Sequence, residues 1–196
     1  MSINRKQTVR NTAVRDICVI GVFSALSVVL AMLIHLPLIP SVAFLEYDPA
    51  DIPIFLISGA LGPIAGLIMT AVVSVIQGIT VSASSGWTGI LMHFLATGFF
   101  VLAECLVLRL MRKKNISETL SMICAMGAGV VTMTVVMMLW NLIFTPFFMH
   151  MSLQDFLPFL PYIVLFNVLK AAINGAAAFI LWRLLRRPIE KYLPRN

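Results

Sequence analysis

Residues 52–103 run without a single Asp, Glu, Lys or Arg. No soluble domain of ordinary make-up leaves so long a stretch without a solvated charge. A single membrane crossing needs only about 20 residues, so the stretch holds more than one. The rest of the 196-residue chain agrees: 60% of residues are apolar and 11% charged, with a mean hydropathy of +1.00. An average soluble domain has about 45–50% apolar and about 25% charged residues. These figures exclude a soluble enzyme, a disordered chain and a nucleic-acid reader. They describe one all-α integral membrane domain over residues 1–196, set in the lipid bilayer.

Charge placement sets the expected topology. The net charge is +6, and three clusters hold every basic residue but one. They are Arg5, Lys6, Arg10 and Arg15; Arg109, Arg112, Lys113 and Lys114; and Arg183, Arg186, Arg187, Lys191 and Arg195. Clusters beside apolar runs are expected on the cytoplasmic side. The number of crossings between consecutive clusters is then even. Breaks at Gly59, at Gly62-Pro63 and at 82–86 divide the uncharged stretch. The expected helices are 17–36, 51–61, 63–81, 87–110, 118–144 and 161–186, with both termini cytoplasmic. Glu46, Asp48, Asp51 and Asp155 fall in the expected outer loops, and no Lys or Arg does. The run from Ile17 to Ile34 exceeds the roughly 7–15 residues of a signal-peptide core, and no small-x-small site follows it. The helix at 51–61 is about half a normal span. A short segment interrupted by Gly and Pro borders a binding site in many transporters, or else bends into the next helix as a hairpin.

Lys170 is the basic residue outside the clusters. Placing it in mid-membrane costs about 2.5–3.5 kcal/mol, so it is expected to face an interior or a cavity. Asn167, Lys170 and Asn174 are spaced i, i+3, i+7 and share one helix face. Three costly polar groups on one face point to a polar-lined pocket, or to a structural network between helices. At 1.5 Å per residue, Lys170 lies about 20 Å and Asn167 about 24 Å from Arg183, and His93 about 24 Å from Arg109. Glu104 lies only about 7.5 Å from Arg109, too far from the depth of Lys170 to pair with it. Asn141 sits near the outer end of its helix. Asn141, Asn167, Lys170 and His93 therefore share the outer half of the membrane.

Asn presents a carbonyl acceptor beside an NH₂ donor, which suits a heteroaromatic edge; Lys adds a further donor. Trp87, Phe94, Trp140, Phe144 and Phe166 are candidate apolar walls. The implied ligand is small, amphipathic and heteroaromatic. Signs of chemistry are few. There is no Ser/His/Asp constellation, HExxH, P-loop or glycine-rich phosphate motif. His35, His93 and His150 are scattered, and Asp51-Ile52-Pro53 reads as a helix start capped by Asp51. Cys18, Cys105 and Cys124 show neither disulfide nor metal spacing. No cofactor or metal is expected, and any use of ATP falls to a partner. On the first helix, Gly21 and Ala25 form a small-xxx-small face, with Ser27 and Ala31 a second; each permits close approach of another helix, internal or from a partner.

The stretch Phe44-Leu45-Glu46-Tyr47-Asp48-Pro49-Ala50-Asp51-Ile52-Pro53, followed by Gly62-Pro63-Ile64-Ala65-Gly66, resembles the riboflavin-specific S components (RibU type) of energy-coupling factor (ECF) transporters. Leu91-Met92-His93-Phe94-Leu95-Ala96-Thr97 is also similar to that family, as is Phe166-Asn167-Val168-Leu169-Lys170 with Asn174. The resemblance covers residues from about 15 to 187. It implies a six-helix, multi-pass bundle in a bacterial cell membrane that captures riboflavin from outside. It also implies a membrane coupling subunit driven by two cytoplasmic ATPases, with the S component tilting to release its ligand. Asn141, Asn167 and Lys170 match flavin contacts. Glu46 and Tyr47 match the loop that closes the site, within an outer loop 37–50. Gly21 and Ala25 match the face that meets the coupling subunit. His93 stands where the family pattern has Asn.

Three other readings compete. An S component for another vitamin, such as thiamin, would be expected to lack the Asn167/Lys170/Asn174 face. A membrane scaffold has no need of polar residues converging at one depth. An intramembrane enzyme requires paired acids or a His/Glu cluster at one depth, and the sequence shows none.

Overall fold

The structure is a computed structural model that describes residues 2–193, with side chains from Thr12 onward except those of Ser84 and Glu190. The side chains of Arg5, Lys6 and Arg10, and the whole of Arg195, lie outside the described residues. The main helices are α1 (Ser2–Leu33), α2 (Asp51–Leu61), α3 (Pro63–Ile79), α4 (Gly86–Lys113), α5 (Glu118–Phe148) and α7 (Leu160–Tyr192). A single turn, α6 (Leu153–Phe156), precedes α7. Among the described residues, four segments are long and apolar enough to cross a membrane: Thr12–Leu33, Gly86–Lys113, Glu118–Phe148 and Leu153–Ile189.

The two short helices differ from a six-span bundle of equal members. The 17 residues of α3 rise about 25 Å and the 11 of α2 only about 16 Å. Nine residues of α2 are buried, and it packs against α1, α3, α4 and α7. An apolar helix covered on all sides is a core element rather than a lipid-facing one. It makes a hairpin with α3, and none of its residues lines the cavity described below. The turn depends on Gly62, whose φ of 98° favours glycine. The Gly62 amide closes α2 on Ser58 O, and Pro63 opens α3 with a preset φ.

The rest of that crossing is loop. Residues 34–50 fold back into the bundle instead of lying above it. Two-residue strands β1 (Leu36–Pro37) and β2 (Glu46–Tyr47) pair antiparallel, Leu36 opposite Tyr47 and Pro37 opposite Glu46. Val42 and Leu45 pack into a small cluster with Phe156, Ile163 and Phe166. The main core lies lower, around Phe55 stacked on Phe100 with centroids 3.6 Å apart.

Candidate substrate-binding site

A cavity of about 220 Å³ opens at the end of the bundle opposite the basic helix ends. The inward-folded loop, α3, α4, α5 and α7 wall it. Trp140 and Phe144, one turn apart on α5, stack with centroids 3.9 Å apart and form an aromatic wall. Phe166, Met92, Met133 and Met137 add apolar surface. The polar lining comes from His35, Glu46, Asp48, Gln77, His93, Asn167 and Lys170.

Asn167, Lys170 and Asn174 are all buried, as one α7 face requires. Lys170 Nζ donates to Asp48 Oδ2 at 2.7 Å. Asp48 Oδ1 also accepts from Ala50 N and from Gln77 Nε2, at 3.0 and 3.2 Å. One of the three Lys170 donors is thus engaged by a carboxylate, while the residue still lines the cavity. Asn167 Nδ2 donates to Ile163 O at 2.8 Å, and its Oδ1 makes no hydrogen bond among the described residues. Glu46 lies 3.1 Å from His35 at the rim, joining the loop to the end of α1.

The other expected residues stand behind this lining. Asn174 Nδ2 donates to Asp48 O at 3.0 Å and to Asp51 Oδ2 at 3.2 Å. Tyr47 Oη donates to Asn174 Oδ1 at 2.9 Å. This bond ties the inward loop to α7. Asn141 is fully buried and satisfied within α5: its Nδ2 donates to Met137 O and its Oδ1 accepts from Thr145 Oγ1. Asn141, Tyr47 and Asn174 do not line the cavity, and neither do Trp87 and Phe94. Trp87 is 63% exposed on the outside.

Three sequence readings are corrected. Asp51 does not cap α2; Ala50 holds the N-cap position, with no side-chain cap. The Asp51 carboxylate sits in the first turn, where the helix dipole favours an anion. Its Oδ1 accepts from Thr97 Oγ1 at 2.7 Å and lies 3.1 Å from His93 Nε2. His93 Nδ1 meets Ser74 Oγ at 2.7 Å. Second, Asp48 and Asp51, expected in the outer loop, are both buried inside the bundle. Third, acids and a histidine do gather at one depth, as Asp48, Asp51 and His93 beside Lys170. The signal available in the sequence was the Asp-x-x-Asp spacing beside a lone intramembrane Lys. Ion pairing explains the gathering, because a buried charge persists only when paired and hydrogen-bonded. On α1, Gly21 and Ala25 are exposed, whereas Ser24, Ser27 and Ala31 are buried against the bundle.

A family model described as "ECF transporter, substrate-specific component" matches residues 15–185. No curated protein matches the chain significantly. One solved structure with the same fold is described as "Structure and mechanism of the S component of a bacterial ECF transporter". The two share 22% identity over 89% of this chain and 97% of that one, with a TM-score of 0.75. A match over nearly the whole chain, on a bundle that encloses a cavity under its own loop, settles the assignment: the chain belongs to the family of ECF transporter substrate-specific components.

Proposed function

We propose that this S component captures riboflavin. The basic helix ends face the cytoplasm by the positive-inside rule, so the cavity opens outward. A membrane coupling subunit and two cytoplasmic ATPases complete the transporter and supply the energy. The observation that carries the reading is the convergence of Lys170 and Asn167 on a cavity walled by the Trp140–Phe144 stack. Unengaged Lys170 donors and the Asn167 acceptor suit the alternating C=O and N–H edge of an isoalloxazine ring. The stacked aromatics suit its faces. Tyr47, Asn174 and Glu46 hold the loop over the ligand, His93 braces Asp51 beside it, and Asn141 supports the aromatic wall from within α5.

Riboflavin titrated into detergent-purified protein is expected to lose fluorescence saturably at nanomolar to low micromolar concentration. Thiamin is expected not to displace it. Lys170→Ala and Asn167→Ala each weaken binding by about 1–3 kcal/mol, the cost of an unmade buried hydrogen bond. Absence of quenching would move the assignment to another vitamin. Unchanged affinity in both variants would remove these residues from the site.

A further inference from the structure

A second cavity, of about 780 Å³, lies at the basic end of the bundle. Its floor is the buried backbone of α2 at Ser58, Gly59 and Ala60, and α3 begins at its edge with Gly62 and Pro63. Arg109, Arg112 and Lys113 of α4 line it and make no ion pair among the described residues. Arg15 and Asp16 line it too, paired with each other at 2.6 Å, so the Asp16 carboxylate is already matched by a cation. Leu102 and Leu106, both exposed, continue the same α4 face toward mid-membrane.

From this arrangement we infer a binding site for an anionic phospholipid of the cytoplasmic leaflet. The lining is graded along α4. From Leu102 to Lys113 the helix rises about 16 Å, close to half of an approximately 30 Å hydrocarbon core. Two exposed leucines sit at the depth of an acyl chain, and three cations without an acidic partner sit at the depth of a headgroup. A phosphodiester complements that charge, and only a lipid also uses the leucine wall; a free anion has no use for it. Arg183 and Arg187 of α7 supply positive charge to the same end but do not line the cavity, so they serve as a control.

The test uses the full chain, purified in detergent, stripped of lipid, and offered equal amounts of phosphatidylglycerol and phosphatidylcholine. Native mass spectrometry reads the retained lipid. Phosphatidylglycerol is expected to be retained in preference. Arg109→Ala with Arg112→Ala is expected to lower its retention at least about tenfold, since each basic residue near the headgroups contributes about 1 kcal/mol. Arg183→Ala with Arg187→Ala is expected to leave it high. Equal retention of both lipids, or equal loss in both double variants, would overturn the site. So would displacement of the lipid by millimolar inorganic phosphate, which would make it a free-anion site. Substrate quenching measured on each variant reports whether the bundle is still folded.

Discussion

Asp48 and Lys170 sit 122 positions apart in the chain and 2.7 Å apart in the fold. Their pairing fastens the inward loop to α7. Removing one member of such a pair strands the other as an uncompensated buried charge, at about 3–5 kcal/mol. Lys170→Ala is therefore expected to lower the unfolding midpoint of the ligand-free protein in detergent. Asp48→Asn combined with Lys170→Met is expected to recover much of that loss, since neither charge is then stranded. Losses that simply added would show that the two residues are not coupled. Lys170 and its Asn neighbours were legible in the sequence because a charge in mid-membrane is too costly to be incidental. Their partner was not. Nothing local distinguishes an Asp that caps a helix from one that reaches across a bundle, and Asp51-Ile52-Pro53 has the residue types of a cap.

At the scale of elements, charge clusters and Gly-Pro breaks located α2 to α5 and α7 to within a turn or two, because apolar length and its interruptions are read directly from the chain; α1 differs, running from Ser2 to Leu33 where 17–36 was expected, and α2 and α3 are shorter than a span. The strands β1 and β2 and the turn α6 were invisible, since elements of two to four residues carry no periodicity. Close helix approach was also hidden, because it depends on which glycine faces a neighbour. Gly129 of α5 lies over the Phe100 ring of α4, and a Cβ there would fall 2.6 Å from the ring carbons. Phe100 is fully buried and stacked on Phe55, so it has no room to withdraw. Gly129→Ala is expected to destabilise the bundle by about 1–3 kcal/mol, the usual effect of overpacking. Gly127, two residues earlier, is exposed and has nothing within 4 Å of its would-be Cβ. Gly127→Ala is expected to cost nothing and to gain up to about 1 kcal/mol of helix propensity. Thermal unfolding of the two variants side by side separates packing from propensity; equal midpoints would contradict the close approach.

Across the whole molecule, the candidate substrate cavity and the basic helix ends lie at opposite poles, and α1 runs between them. Its inner face is consumed: Ser24, Ser27 and Ala31 are buried where α1 packs on α2 and α3. Its outer face is not, because Gly21 and Ala25 are exposed, and a Cβ on Gly21 would meet nothing within 4 Å. A small-xxx-small stripe contributes nothing against lipid chains, which pack as readily on Leu; it gains value only where a second helix backbone comes close. If the coupling subunit supplies that helix, Ala25→Trp fills the contact from outside without reaching the core or the cavity. Riboflavin quenching is then expected to be unchanged, while co-purification with the coupling subunit and uptake into cells are lost. Capture and delivery would thereby be shown to use separate surfaces of one bundle. Uptake that survived the substitution would instead leave the α1 stripe facing lipid and move the docking surface elsewhere on the bundle.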